Sequence, residues 1–208
     1  PGGPGRLRAA VNVLDLAAEN PGSLSAALLG EGDRQAFANN VRQRTRKDIR
    51  QAQFGVSWDG PLAGLRTELA GYGLLRDLEN PIPSDIIQVD RTAFGARALA
   101  EAPIVVGGVQ LSAGGGAELD VQTDDRRNWA NTQGTRGALR LDQHERVGSA
   151  GAFGFARAGV RDVVALTAGL RYDHFRFRAE DRFLEDGTDD SGERTMGAAS
   201  PSVGLSWR

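Results

Sequence analysis

Two adjacent arginines and a nearby tryptophan have the clearest binding chemistry in this sequence. Arg126, Arg127 and Trp129 lie in a polar stretch between two strand-like segments. Guanidinium groups form charge-assisted hydrogen bonds with anions, and aromatic rings offer a face for stacking. We expect these three side chains to bind an anionic ligand from a loop. The alternative is that the loop is simply solvated.

Other chemistries find little support in the residues. The chain has no cysteine, which excludes a disulfide framework, a thiolate metal site and a cysteine nucleophile. The two histidines, His144 and His174, lie outside any zinc-protease helix motif. The acidic stretch 186–193 has Ser191 where an EF-hand calcium loop requires glycine. The sequence therefore predicts a protein that is not an enzyme and holds no cofactor or metal.

The elements that position these residues show a period of two. From residue 109 to residue 122, apolar or small residues occupy every odd position, and polar residues or glycine occupy every even one. A strand directs successive side chains to opposite faces, so this pattern predicts a sheet between two different media. Strands in soluble domains usually run about five or six residues, whereas a tilted strand that crosses a bilayer needs about nine to eleven. The length favours a membrane barrel.

The same alternation returns along the chain. It is clear at 51–58, 164–173 and 202–208, and weaker at 6–14, 65–75, 86–99 and 150–158. We therefore predict about eight strands. The glycines at 114–116 fall inside a strand, where small residues would allow curvature or close packing. We predict that Phe175, Phe177 and Phe183 form part of an aromatic girdle at the membrane interface.

The connections between these segments are of two kinds. Short links lie near 59–62, where Asp59-Gly60-Pro61 is a turn signal, and near 102–107 and 160–162; long polar links lie near 16–46, 76–85, 123–149 and 178–197. Short and long links alternate, which is typical of outer-membrane barrels with short periplasmic turns and long extracellular loops. Residues 23–41 are rich in alanine and leucine and predict a short helix inside the first long loop.

Composition narrows the class further. The chain is 40% hydrophobic, its mean hydropathy is -0.36, and no run approaches the roughly 18 apolar residues of a spanning helix. A helical membrane protein is excluded, while a barrel and a soluble all-β domain both remain. A net charge of -2 provides no global basic field for nucleic acid.

Several segments resemble a known family. Residues 166–173 and 200–207 resemble barrel strands of TonB-dependent outer-membrane receptors. Four shorter segments are similar to landmarks of the ferric-siderophore branch of that family and occur in the expected order: Glu19-Asn20-Pro21-Gly22, Asn80-Pro81-Ile82-Pro83, Asp90-Arg91 and Asp142-Gln143-His144-Glu145. The resemblance covers most of the chain.

The resemblance implies an all-β antiparallel transmembrane β-barrel meander, in which about eight strands form part of a larger barrel of about twenty-two. It implies a receptor of the bacterial outer membrane that actively takes up a ferric siderophore or similar metal chelate. Its partners would be outer-membrane lipid, the chelate, and the TonB energy-coupling complex, reached through an N-terminal region that the sequence lacks. We expect residues 1–208 to be a partial barrel domain without plug domain, signal peptide or C-terminal strand.

Three other functions remain to be weighed. A small autonomous eight-stranded barrel with a structural or adhesive role would require its first strand, near 6–14, to pair with its last, near 203–208. A soluble β-sandwich binding module would have shorter strands and no aromatic rim. A membrane enzyme would need a serine or aspartate/histidine site at its rim, and His144 has no convincing serine partner in the sequence.

Overall fold

The computed structural model describes residues 5–30, 35–106, 109–160 and 163–207 and consists almost wholly of β-strands. Two short helices lie between the first two strands, α1 at Ala26–Gly30 and α2 at Ala38–Arg42, and a 3-10 turn at Leu184–Asp186 precedes the last strand. The eight strands are β1 Arg6–Glu19, β2 Arg46–Leu62, β3 Leu65–Pro81, β4 Asp85–Val106, β5 Val109–Thr132, β6 Thr135–Val160, β7 Val164–Asp181 and β8 Gly192–Trp207. These strands confirm the predicted all-β meander.

All eight strands belong to one sheet and pair in the order of the sequence. Each pairing is antiparallel, from β1 with β2 to β7 with β8. In the described part of the chain, β1 and β8 each have a neighbour on one side only. The sheet is therefore open, with two unpaired edges that expose backbone hydrogen-bonding groups.

The two sides of the sheet differ in chemistry. We call the side that carries Phe94, Leu119 and Leu170 the outer side, and the side that carries Glu118 and Arg171 the inner side. The outer side carries an apolar band that is free of charged residues and crosses all eight strands. The band is roughly nine to thirteen residues long on most strands. The band occupies 52–62, 65–75, 94–104, 109–121, 148–158, 164–172 and 199–207 of β2 to β8, and its β1 part is 7–13.

The apolar side chains of this band are exposed rather than packed in a core. Among the described residues, the largest fully buried side chains are Ile86 and Pro81 alone. Val203 and Trp207 are each 80% exposed, and the described residues form no second layer over them. A soluble β-sandwich would bury such a face against a second sheet, so the fold argues against that alternative.

No helix within the described ranges is long and apolar enough to cross a membrane.

Two hairpins close with two-residue turns of left-handed backbone. Ala63 and Gly64 join β2 to β3 with φ angles of 52° and 81°, and Gln133 and Gly134 join β5 to β6 with 55° and 86°. Such turns match the twist of the strands that they connect. The predicted turn at Asp59-Gly60-Pro61 is wrong by a few residues, because β2 continues to Leu62. The short link predicted at 102–107 is likewise strand as far as Val106, and β6 includes Val160 of the link predicted at 160–162. Residues 107, 161 and 162 of these two links lie outside the described residues.

The predicted long links prove to be of two kinds. The first link spans 20–45 and contains two short helices, where one short helix was predicted. The fourth link spans 182–191. The links predicted at 76–85 and 123–149 are instead mostly strand, because β3, β4, β5 and β6 extend beyond the apolar band. Charged residues occupy both sides of these extensions, so they lack the apolar contrast from which a strand is recognised.

Glycines in β5 provide space for aromatic rings on the inner side. A side chain at Gly116 would meet the ring of Phe153, and one at Gly114 would meet the ring of Phe155. The rings come from β6, and each stands opposite its glycine in the register. Close packing is therefore the role of these two glycines, as the sequence predicted.

Candidate ligand-binding surfaces

The three residues predicted to bind a ligand lie in strand β5 and not in a loop. Arg126 is on the inner side, with its Nη1 3.8 Å from a carboxylate oxygen of Glu145. Arg127 is on the outer side and donates to Asp142 at 3.1 Å. Trp129, also on the outer side, is covered by the guanidinium of Arg136 at 4.2 Å from the ring centroid. The sheet therefore separates Arg126 from the other two.

The charges around these residues are largely balanced. Arg136 also donates to Glu79 at 2.6 Å, so the indole, the guanidinium and the carboxylate form one cluster. Because an acid-paired guanidinium covers one face of the indole, Trp129 offers little free surface to an anion. The structure does not bring Arg126, Arg127 and Trp129 together at one surface, and their role as ligand contacts stays a prediction.

The inner side carries a second group of polar side chains at the height where the apolar band ends. This group forms a concavity of about 520 Å³, whose inner-side lining includes Gln53, Tyr72, Arg76, Arg91 and Gln122. Arg91 is held by Asp124 through two hydrogen bonds of 2.8 and 2.6 Å. Arg76 donates to the amide oxygen of Gln51 at 2.6 Å, and no described carboxylate forms an ion pair with it.

Sequence reasoning did not select Arg76 or Arg91 as ligand contacts because neither stands in an arginine cluster, and Asp90-Arg91 served only as a family landmark. A signal was nevertheless available. Both residues share the polar parity of their strands, with Gln51 and Asp124 as cross-strand partners. Arg76 supplies a guanidinium whose charge is not cancelled by a neighbouring acid, which is the property that an anion-binding site requires.

Lower on the inner side, a carboxylate links two arginines around a phenyl ring. Glu118 accepts from Arg171 at 2.6 Å and lies 3.3 Å from Arg97. Arg171 also contacts Asp173 at 2.7 Å. Both guanidinium carbons lie 5.7 Å from the ring centroid of Phe153. This arrangement agrees with the polar parity predicted from the sequence and leaves no uncompensated charge.

Phe175 and Phe177 share the inner side with Arg171, and their rings stack at 6.3 Å. The predicted girdle is therefore wrong for these two residues, because the alternation of β7 turns them away from the apolar band. Within the apolar band, the aromatic residues on the outer side of the described strands are Phe54, Trp58, Phe94, Tyr172 and Trp207.

The end of the sheet remote from the two-residue turn at 63–64 is tied together by one asparagine. The Asn131 side-chain amide donates to the carbonyl oxygens of Gln43 at 2.9 Å and Ile82 at 2.8 Å. Its side-chain oxygen accepts from the backbone N–H of Gly134 at 2.8 Å. Asn131 thus joins the first loop, the β3–β4 turn and the tip of the β5–β6 hairpin.

His144 lies within β6 on the outer side and not at a strand–loop junction. Its Nδ1 is 2.8 Å from a carboxylate oxygen of Asp125, which Arg182 also contacts at 3.1 Å. The hydrogen bond to His144 lowers the pKa of Asp125 below its ordinary value, and the nearby charge of Arg182 acts in the same direction. The arrangement is an ion-pair cluster without a nucleophile.

Metal-binding geometry is not found in the described ranges, where no group of three acidic or histidine side chains could hold an ion. In the acidic stretch 186–193, Asp186 accepts from the backbone of Thr188 at 3.0 Å and Asp189 from that of Ser191 at 2.9 Å. The backbone N–H and then the hydroxyl of Thr188 lower the pKa of Asp186, and the hydroxyl and then the backbone N–H of Ser191 lower the pKa of Asp189. The carboxylates stabilise their own turns.

A meander sheet with an apolar outer side and a polar inner side defines a wall of a β-barrel. The family model described as TonB dependent receptor-like, beta-barrel, matches residues 9–208. The chain belongs to this family, which comprises transport receptors of the bacterial outer membrane.

Solved structures of siderophore receptors share the fold. The unliganded ferric citrate transporter FecA is 14% identical over 98% of this chain and 31% of its own, with a TM-score of 0.73. The siderophore receptor PiuA from Acinetobacter baumannii is 10% identical over 80% of this chain and 31% of its own, with a TM-score of 0.64. The alcaligin receptor FauA from Bordetella pertussis is 12% identical over 79% of this chain and 27% of its own, with a TM-score of 0.62.

The chain thus spans about a third of the length of these receptors. At such identities the likeness shows the fold alone. No curated protein matches the sequence.

Proposed function

We propose that this chain forms part of the barrel wall of an outer-membrane receptor that imports a ferric siderophore or a similar metal chelate, with energy from the TonB system. The single observation that carries the proposal is the apolar band on the outer side. Its roughly nine to thirteen residues per strand agree with the about nine to eleven that a tilted strand needs to cross the hydrocarbon layer.

The polar inner side supports the same function. In a barrel of this kind it would line a wet interior, where Glu118 pairs with Arg97 and Arg171. Backbone groups in hydrocarbon must all be paired, which only a closed barrel achieves with strands. The open edges at β1 and β8 therefore favour a wall segment of a larger barrel over the autonomous eight-stranded barrel, whose first and last strands would have to pair.

We assign the ligand to the inner side at the end where the strands extend beyond the band. Arg76 is the residue best suited to meet an anionic chelate, because its guanidinium is oriented by the Gln51 amide and is not neutralised by an acid in the described part. Tyr72 and Arg91 line the same concavity. Arg126, on the same side, is a weaker candidate because Glu145 lies 3.8 Å away; Arg127 and Trp129 would face lipid headgroups or solvent.

Uptake of iron by living cells tests the proposal. Cells that depend on the complete protein would be supplied with radioactive iron as ferric citrate, a ferric hydroxamate or a ferric catecholate, with and without a functional TonB system. We expect energy-dependent uptake of at least one chelate. Uptake of none of them, or uptake that is indifferent to TonB, would contradict the proposal.

A matched pair of substitutions locates the ligand. Arg76→Gln should weaken binding of the transported chelate by about tenfold, since a charged hydrogen bond contributes about 1.5–3 kcal/mol. Arg66→Gln makes the same change on the inner side of the same strand, close to the turn at Ala63 and Gly64, and should leave binding unchanged. Equal effects of the two substitutions would argue against the assigned position.

A further inference from the structure

The outer side of β6 and β7 carries three arginines just beyond the apolar band. Arg146 of β6 stands directly opposite Arg178 of β7. Arg176 lies two residues before Arg178 and therefore on the same side of the sheet. All three side chains are exposed.

Only one of the three is paired with an acid. Arg176 donates two hydrogen bonds to Glu193, at 2.8 and 2.7 Å, so both oxygens of this carboxylate are engaged. In the described part of the chain, no carboxylate lies within ion-pair distance of Arg146 or Arg178. Like charges directly opposite each other on paired strands are destabilising. Glu193 of β8 also stands opposite Arg178, but both of its oxygens accept from Arg176. One carboxylate therefore faces three arginines, and the excess positive charge calls for an anion from outside the chain.

The height of the pair above the band indicates where that anion resides. Towards the turn between β6 and β7, the next outer cross-strand pairs are Gly148 with Arg176, Ala150 with His174 and Ala152 with Tyr172, and the band begins at Gly148 on β6 and at Tyr172 on β7. Tyr172 is 53% exposed, and tyrosine is enriched where hydrocarbon meets headgroups. Arg146 and Arg178 thus stand at the level of the headgroups if the band lies in hydrocarbon.

We propose that Arg146 and Arg178 bind a phosphate group of a lipid in the outer leaflet. The inference rests on the proposed function, since it requires the apolar band to lie in the bilayer. Guanidinium groups bind phosphate oxygens through paired hydrogen bonds and are more weakly hydrated than ammonium groups. A phosphate between the two arginines would offset their repulsion while the acyl chains cover the band below.

The sheet offers an internal control at the same height. Arg194 of β8 stands opposite Phe177 and therefore lies on the inner side. It is exposed, like Arg146 and Arg178, and has no acid within ion-pair distance in the described ranges. A lipid bound to the outer side cannot reach it, whereas a soluble anion can.

The experiment uses the complete protein that carries this chain, purified in detergent and stripped of lipid. Diphosphoryl lipid A is titrated and the lipid-bound fraction is measured by native mass spectrometry. Each arginine near an anionic surface contributes roughly a factor of five in affinity, so Arg146→Gln with Arg178→Gln should weaken binding by about thirtyfold. Arg194→Gln should change it less than twofold, and lysine at both outer positions should retain most of it.

Two further arms identify the source of the phosphate. Dephosphorylated lipid A should bind the wild type and the double glutamine variant equally weakly, and inorganic phosphate should fail to displace the lipid. Equal affinity of the double variant and the wild type for diphosphoryl lipid A would overturn the inference. So would full displacement by inorganic phosphate, which would mean a soluble-anion site.

Failure of the inference is distinguishable from failure of the proposed function. Heat-modifiable migration of each variant on a gel reports whether its barrel is folded, and insertion into liposomes reports whether the band enters the bilayer. A protein that does not insert contradicts both proposals. A protein that inserts but binds lipid A without regard to Arg146 and Arg178 contradicts the lipid inference alone.

Discussion

The side-chain amide of Asn131 donates a hydrogen bond of 2.8 Å to the carbonyl oxygen of Ile82, which lies 49 residues away in the sequence. The second amide hydrogen is donated to Gln43, and the side-chain oxygen accepts from Gly134. One small side chain thus connects the first loop, the β3–β4 turn and the β5–β6 hairpin, and the backbone N–H of Gln133 adds a further hydrogen bond of 2.9 Å to the Gln43 side chain.

Replacing Asn131 by aspartate should loosen this junction. The change is nearly isosteric, but it removes both donors and places a carboxylate against two carbonyl oxygens. Leaving such groups unsatisfied costs about 2 kcal/mol. We expect amide hydrogen exchange in 20–30 and 35–45 to accelerate by about thirtyfold, while exchange in the apolar band stays unchanged.

A matched control for this prediction is Asn12→Asp. Asn12 is exposed on the inner side of β1, and its side chain makes no hydrogen bond within the described ranges. Asn12→Asp should leave amide hydrogen exchange in the first loop at the wild-type rate. Equal protection of the loop in wild type and Asn131→Asp would mean that other contacts hold the junction.

Replacing Glu118 by glutamine should destabilise the inner side in a salt-dependent way. Without the carboxylate, Arg97 and Arg171 face each other across Phe153 with only Asp173 as compensation. Partly exposed ion pairs contribute about 1 kcal/mol, and salt screens them. We expect a lower unfolding temperature at low ionic strength and a smaller difference from wild type at high ionic strength.

The control for the Glu118 prediction is Glu68→Gln. Glu68 is an exposed acid of β3 that lies on the inner side of the sheet, like Glu118. It pairs with no arginine in the described part of the chain. Its loss should leave the unfolding temperature nearly unchanged at both salt concentrations. A salt-independent effect of Glu118→Gln would point to lost packing and not to lost charge.

The parts of the fold that the sequence predicts well are those where the two sides of a strand meet uniform and different media. In 109–121 the outer positions are all apolar or small, and the structure gives the same division of sides. The apolar contrast disappears in the extensions, where Asp124 and Arg126 face inward and Asp125 and Arg127 face outward. A charged strand of this kind has the composition of a loop, which explains the wrong prediction for 123–149.

The candidate site was less predictable for a related reason. Arg126 and Arg127 are adjacent in sequence, and adjacent residues of a strand lie on opposite sides of it. This separation can be predicted only if the segment is known to be a strand. The pairing of Arg91 with Asp124 depends on strand register, which periodicity leaves open. Arg76 is recognisable as unpaired only when every neighbouring acid has been placed.

The Asp125 carboxylate should make the β5–β6 hairpin sensitive to acid. Its hydrogen bond to His144, together with Arg182, lowers its pKa in the folded protein. The resulting stabilisation is present above the unfolded value of about 3.9 and is lost as the pH falls through the lower folded value. Asp125→Asn should therefore lower the unfolding temperature by a constant amount above about pH 4, and this difference should shrink below it.

Unfolding temperatures between pH 2 and pH 6 test this prediction. Asp77→Asn is the control, because Asp77 lies in the same cross-strand row as Asp125 and forms no hydrogen bond or ion pair through its carboxylate in the described ranges. Its effect near pH 6 should be smaller than that of Asp125→Asn. A difference between Asp125→Asn and wild type that does not change below pH 4 would show that the ion pair is not the cause.

The two left-handed turns should respond differently to the same substitution. An alanine at Gly64 would meet no atom within 4 Å, so Gly64→Ala tests backbone strain alone, which costs about 1–2 kcal/mol. At Gly134 the new methyl group would also lie 2.6 Å from Cδ of Arg44 in the first loop. Gly134→Ala should therefore accelerate proteolysis of that loop, whereas Gly64→Ala should not. Adding Arg44→Gly to Gly134→Ala removes every side-chain atom of the clash, including Cβ at 2.9 Å, but not the strain at residue 134. If proteolysis then stays as fast as in Gly134→Ala alone, contact with Arg44 is not what couples the hairpin tip to the loop.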